Sequence, residues 1–159
     1  MNMQADVSIA PVRKSVRVPA SPAEAFRVFT AEMDRWWPKD HGLDGPVERS
    51  IIEPFVGGRW YAHYQNGREI TNGHVLAWEP PGRVMFSWEI SAEFKSDPDS
   101  TVASEVEVRF LPEEDGTRVE LEHRHFHRMR GGDKMRAAVE GGWPKILALY
   151  AGAFGEKIG

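Results

Sequence analysis

The order of hydrophobic patterns constrains this chain more than any single motif does. An alternating segment comes first, then a short helical one, then a run of alternating segments joined by tight turns, and last one long helical stripe. Period-two alternation marks half-buried strands, and spacing of three and four marks one helix face. Strands joined by tight turns pair antiparallel. The order therefore predicts an α+β fold in which a curved antiparallel sheet packs its apolar face on the final helix. A sheet curved around one helix leaves room between them, so the order also points to a small-molecule cavity.

Along the chain, Val12, Val16 and Val18 alternate with Arg13, Ser15 and Arg17, and Pro19 ends that strand. Ser21 followed by Pro22, with Glu24 three residues after the cap, starts a helix whose apolar face is Ala25, Phe26, Val28 and Phe29. Residues 32–37 can add a turn before Pro38. Strand candidates follow at 49–53, 57–64, 69–78, 84–90, 102–110 and 117–127. Turns at Asn66-Gly67, Pro80-Pro81-Gly82 and Asp115-Gly116 separate several of them. In the tail 133–157, Met135, Val139, Trp143, Ile146, Leu147, Tyr150 and Phe154 form one helical stripe. Gly141-Gly142 and Pro144 interrupt it, so a kink or break is expected there.

The bulk properties mostly exclude. With 159 residues the chain fits a single domain, read as residues 12–159 behind a flexible tail, 1–11. A formal charge of −4 without a long basic cluster gives no reason to expect nucleic acid. The absence of cysteine removes disulfides, thiolate catalysis and cysteine-ligated metal. No apolar run suits a bilayer span or a secretory signal, so no membrane partner is expected and a cytoplasmic location is the default expectation.

The third turn allows a register argument. With Asp115-Gly116 as a two-residue turn, Glu114 pairs with Thr117. Val108 then faces His123, Val106 faces His125, and Ser104 faces His127. Opposed residues share a sheet face. The apolar members Val106, Val108, Phe110, Val119 and Leu121 all lie on that face, so His123, His125 and His127 are expected to point inward. At Asn66-Gly67 the same argument puts Asn72 with Tyr61, on the face opposite Trp60, Ala62 and Tyr64. Both faces of that strand are half aromatic, and the inner one stays open.

The run His123-Arg124-His125-Phe126-His127 is the chief candidate for chemistry. Alternate strand positions are roughly 6.5–7 Å apart, near enough for two rings to share a metal or for one to move a proton. Partly solvated, hydrogen-bonded histidines are the plainer reading. The adjacent Trp36 and Trp37 point in different directions, one into the core and one able to cap a cavity mouth. Gly57-Gly58 lacks the surroundings of a phosphate loop and suits a tight bend. Asp97-Pro98-Asp99 reads as a solvated loop.

The segments SPAEAFRVFT, RWWP, PFVGGRW, NGHVLAWEPPGRVMFSW and EGGWPKILALYAGAF, in that order, resemble the SRPBCC superfamily, the START and birch-pollen-allergen-like helix-grip group. Within it the chain is similar to the branch named for the C-terminal domain of the activator of the heat-shock chaperone ATPase. The resemblance runs from about Val12 to Phe154. It implies a helix-grip fold, seven antiparallel strands around a long C-terminal helix, with an apolar cavity between them. It also implies a function among binding, cyclase, hydrolase and co-chaperone roles. The chaperone activators carry an additional N-terminal domain, which counts against a chaperone partner here.

The resulting expectation is a small hydrophobic or aromatic molecule held by Phe86, Trp88, Val106, Val108, His123, His125, His127, Trp143, Leu147 and Tyr150. Cyclase- or hydrolase-like chemistry would fall to His125 or His123. A chaperone-ATPase interaction module and a histidine-ligated metal site are the other readings. No cofactor is implied. An edge strand and surface tryptophan suit a homodimer.

Overall fold

The computed structural model describes residues 9–155. Its elements are β1 (Val12–Val18), α1 (Pro22–Thr30), α2 (Met33–Trp36), β2 (Val47–Ile52), β3 (Arg59–Tyr64), β4 (Glu69–Glu79), β5 (Arg83–Trp88), β6 (Ser104–Glu113), β7 (Gly116–Arg124) and α3 (Gly132–Gly155). The strands form one curled antiparallel sheet in the order β1-β7-β6-β5-β4-β3-β2, and α3 lies on its concave face. This is the helix-grip fold expected from the pattern order. The tail residues 1–8 and the helix end at Lys157 lie outside the described residues. No described helix is long and apolar enough to cross a membrane.

Local chemistry explains the boundaries. Ser21 caps α1, its hydroxyl accepting from Glu24 N at 3.2 Å, with Pro22 in the first turn. α3 runs without the expected break through Gly141, Gly142 and Pro144. Pro144 removes one helical hydrogen bond and crowds the preceding turn, a cost of about 3 kcal/mol. The stripe of Met135, Val139, Trp143, Ile146, Leu147, Tyr150 and Phe154 is buried on both sides of it. Each such side chain contributes roughly 1.5–3 kcal/mol, so packing outweighs the interruption.

The β6–β7 register differs from expectation by two residues. Glu113 pairs with Gly116, which puts Glu114 and Asp115 in the turn, and Val106 faces His123. Only Asp115 takes a positive φ, 64°. Gly116 belongs to the strand, where a Cβ would stand 2.5 Å from the Val18 carbonyl oxygen. A shift of two keeps side-chain parity, so His123 remains on the inner face and is wholly buried. β7, however, ends at Arg124. His125 takes a left-handed conformation (φ 71°) and starts a single 3-10 turn, Phe126–Arg128. His125 and His127 therefore leave the sheet and do not point inward; His127 is exposed.

The β3–β4 hairpin departs twice by one residue. Gly67 at φ +87° closes a three-residue loop, with Tyr64 N donating to Arg68 O. A bulge then slips Asn72 in as an extra residue, between the pairs Tyr61–Thr71 and Trp60–Gly73. The departures cancel by the strand end, where Arg59 still faces His74. Between them the face of Asn72 is inverted: it lies inward with Trp60, Ala62 and Tyr64, not outward with Tyr61.

The tryptophans are core or wall residues, not surface ones. Trp36, Trp37, Trp60, Trp88 and Trp143 are all buried, and Trp78 packs against the core. On the convex face, Glu107 accepts from Arg83, Arg109 and Arg124. Burial pushes its carboxyl up, but those guanidinium hydrogen bonds outweigh burial and hold it at about 2.

Candidate functional site

A cavity of about 410 Å³ opens between the inner faces of β2–β5 and the first half of α3. It separates the main core from a small apolar cluster of Val47, Ala62 and Tyr64. Six aromatic side chains stand in its walls: Trp37, Trp60, Trp88, Trp143, Tyr64 and Phe94. Edge-to-face contacts fix several of these rings, Trp37 on Trp60 at 5.4 Å and on Trp143 at 6.0 Å. On the helix side, Ala138 and Gly142 line the space. A Cβ at Gly142 would meet no atom within 4 Å, so this position leaves the cavity open.

The mouth carries a histidine that pattern reading missed. His41 sits in the loop between α2 and β2 and lines the cavity. Tyr64 holds this loop, its hydroxyl accepting from Leu43 N at 2.8 Å, and Val47 N donates to Lys39 O at 2.8 Å. Gly42 is pressed so close that a Cβ would lie 2.3 Å from Gly45 O and 2.8 Å from the Tyr64 ring. His41 and Tyr64 are the titratable side chains on this wall. Phe94 flanks the mouth from a tight turn in which Phe94 N donates to Ser91 O at 2.8 Å, and it takes φ 60°.

Two polar groups sit deep in the wall. Asn72 is 8% exposed and Ser50 5%. No described residue hydrogen-bonds the Asn72 carboxamide or the Ser50 hydroxyl. The bulge fixes Asn72: its carbonyl accepts from Glu89 N at 2.7 Å, and a Cβ on the next residue, Gly73, would collide with Ser87 O at 1.8 Å. The indole Nε1 atoms of Trp60 and Trp88 are buried and have no partner among the described residues.

Of the expected lining residues, Trp88 and Trp143 border the cavity. Phe86, Val106, Val108, Leu147 and Tyr150 are buried in the solid core instead. Tyr150 donates to Ala25 O at 2.7 Å, and burial pushes its phenol up. His123 is also beneath the wall. Its Nδ1 accepts from Trp143 Nε1 at 3.1 Å, so the ring proton belongs on Nε2, which donates to Ser104 Oγ at 2.9 Å. Burial alone drives its pKa down to about 3. It is a neutral prop behind Trp143, not a proton carrier at the cavity surface.

His125 is one-third exposed and stands 3.5 Å from Glu105. Partial burial, then the charge of Arg128, pushes its pKa down. The three imidazoles do not converge, because His123 points into the core while His125 and His127 lie beyond the strand end. Among the described residues no group of three or more histidines and carboxylates is placed to hold a metal ion.

Comparisons with known proteins agree with this fold. The structure of Txn09, described as an anthrahydroquino-gamma-pyrone synthase, is 42% identical, covers 91% of this chain and 96% of its own, and superposes with a TM-score of 0.65. CalC from Micromonospora echinospora, a self-sacrificing resistance protein, is 29% identical over 92% of this chain and 95% of its own, with a TM-score of 0.68. CalU16 from the same organism is 25% identical over 91% and 74%, with a TM-score of 0.58. A search of curated proteins finds no match. The family model for Activator of Hsp90 ATPase homolog 1-like protein matches residues 19–153. With the fold, the cavity and that match in hand, the chain belongs to the Activator of Hsp90 ATPase homolog 1-like family.

Proposed function

We propose that this chain binds a flat aromatic molecule in the cavity under α3 and closes a ring on it. The observation that carries the reading is the wall itself: four tryptophans, Tyr64 and Phe94 around about 410 Å³, with one imidazole at the mouth. Aromatic walls match flat aromatic guests in shape and ring electrostatics, and a space of this size suits a small polycyclic ligand. The 42%-identical relative described as a gamma-pyrone synthase supports ring closure as the reaction class.

Closing an oxygen heterocycle from an aryl hydroxyl and a ketone requires three things. The hydroxyl must lose its proton, the oxygen must reach the carbonyl carbon, and water must leave. His41 is the group placed to take the hydroxyl proton and return it to the carbonyl oxygen, giving a hemiketal; that hydroxyl then leaves as water with the hydrogen of the carbon between the two carbonyls, as the ring double bond forms. The apolar walls hold the chain folded back on the ring, so that closure becomes a unimolecular event.

An o-hydroxyphenyl β-diketone, which closes to a chromone with loss of one water, is a suitable probe. The protein is expected to accelerate its closure, followed by absorbance. His41→Gln is expected to slow turnover by about 10²-fold or more while leaving binding nearly unchanged. A hydroxyanthraquinone titrated against tryptophan fluorescence is expected to quench saturably at one site. Absence of saturable quenching would overturn the binding reading. An equal closure rate with His41→Gln would remove His41 from the chemistry.

A further inference from the structure

We infer that the ligand of this cavity is a neutral aromatic ketone or quinone whose carbonyl oxygen is received by Asn72 and Ser50. The inference rests on the proposal that the cavity binds an aromatic molecule, and it adds the polar group that molecule must carry. Native proteins pair nearly all their buried polar groups. An unpaired one costs about 1–3 kcal/mol. Yet the wall of this one cavity contains the Asn72 carboxamide and the Ser50 hydroxyl, in residues more than nine-tenths buried, unpaired among the described residues and with polar atoms that still reach open space. The unpaired indole N–H groups of Trp60 and Trp88 belong to the same wall.

The chemistry of these groups selects the ligand. An indole N–H only donates, a carboxamide offers two N–H donors, and a hydroxyl rotates to donate. The two indole N–H groups are sealed within the wall, so the polar groups a guest can reach are the carboxamide and the hydroxyl, and both can donate to one acceptor. No lysine or arginine lines it, and its one imidazole, His41, stands at the mouth, so no permanent cation is present to neutralise a buried carboxylate or phosphate. An uncharged acceptor remains, and on a flat aromatic that is a carbonyl oxygen.

The backbone is built to present this group. A two-residue turn would have paired Asn72 with Tyr61; the three-residue loop shifts the pairing by one and puts Asn72 on the Trp60 side, and the bulge lets Gly73 and His74 pair with Trp60 and Arg59 beyond it. Gly73 makes the bulge feasible, because any side chain there would strike the Ser87 carbonyl. Ser50 stands opposite Ala62 on the neighbouring pair, so β2 and β4 supply donors from both sides of β3.

Fluorenone and fluorene, tricyclics that differ by one carbonyl, test the inference by equilibrium dialysis. Fluorenone is expected to bind the unaltered protein at least tenfold more tightly than fluorene. In an Asn72→Leu, Ser50→Ala double variant the two should bind within about twofold of one another, with fluorene retained. Retained fluorene binding shows that the fold and cavity survive the substitutions. Equal binding of both compounds to the unaltered protein would overturn the inference and leave the aromatic-binding reading standing. Binding of neither would overturn the aromatic-binding reading itself. A fluorenone preference that persists in the double variant would overturn the assignment to Asn72 and Ser50.

Discussion

The two ends of the sheet meet the same helix and treat buried polar groups in opposite ways. Where β1, β7 and β6 pack on α3, the buried polar side chains at the core are paired. His123 is held between Trp143 and Ser104, Tyr150 donates to Ala25 O, and Thr117 donates to Ala20 O at 2.7 Å. Where β2, β3 and β4 face the helix, the core parts around a cavity, and Asn72, Ser50 and two indoles have no side-chain partner among the described residues. The contrast separates two meanings of a buried polar residue. A paired one is part of the framework; an unpaired one beside a void is a demand for a guest.

The largest way to break the comparison is to damage the packed end. His123→Ala removes an imidazole from a fully buried site and unpairs the Trp143 N–H and the Ser104 hydroxyl. A loss of about 4 kcal/mol is expected in urea unfolding. A loss below about 1 kcal/mol would show that this end is not the rigid one.

The next effect belongs to the hollow end. Gly142→Phe fills the cavity from the helix without a backbone clash. Aromatic binding should weaken by at least about 100-fold, or about 2.7 kcal/mol, while the melting temperature holds or rises, since glycine is a poor helix residue. Unchanged binding would mean that the guest sits elsewhere.

Acid should act on the packed end first. His123 is held neutral when folded, at about 3, and is near 6.5 when unfolded. Its folded pKa is depressed, so its contribution is fully present above pH 6.5. It is lost as pH falls through the window from 6.5 towards 3, because only the unfolded chain takes up the proton. At pH 5 the expected loss is about 2 kcal/mol, and His123→Gln should flatten that slope. His125 shifts in the same direction but is partly exposed, and its share is smaller. Glu107 acts in a separate window, from its unfolded value near 4.5 down to about 2. A His123→Gln protein with the same acid sensitivity above pH 5 would contradict the assignment.

The smallest effect is on stability at the hollow end. Asn72→Ala has no side-chain hydrogen bond to lose among the described residues and removes an unpaired carboxamide, so unfolding free energy should hold or rise, by up to about 1 kcal/mol. A large destabilisation would place Asn72 with the framework residues.

Much of this was legible beforehand, for identifiable reasons. Alternation in β1, β5, β6 and β7 and the stripe of α3 are repeated signals, so an error at one position does not move the element. The parity of His123 survived a two-residue error in register because side chains alternate with period two. His125 was misplaced because nothing local says where β7 stops; a single left-handed residue ends it. His41 was missed because its loop has no period, and its place depends on Tyr64, more than twenty residues away. Asn72 lies on the other face from the one a two-residue turn implies, because a three-residue loop shifts the pairing by one until the bulge restores it.

By itself the sequence determined the class of fold, the order of strands and helices, and the face on which His123 lies. Those follow from periodicity and turn chemistry, which are properties of neighbouring residues. Only the tertiary structure decided which polar groups are paired and which face an open space. That depends on where a bulge, a pressed glycine and a loop tyrosine bring distant side chains together, and pairing across such distances is set by packing rather than by local pattern.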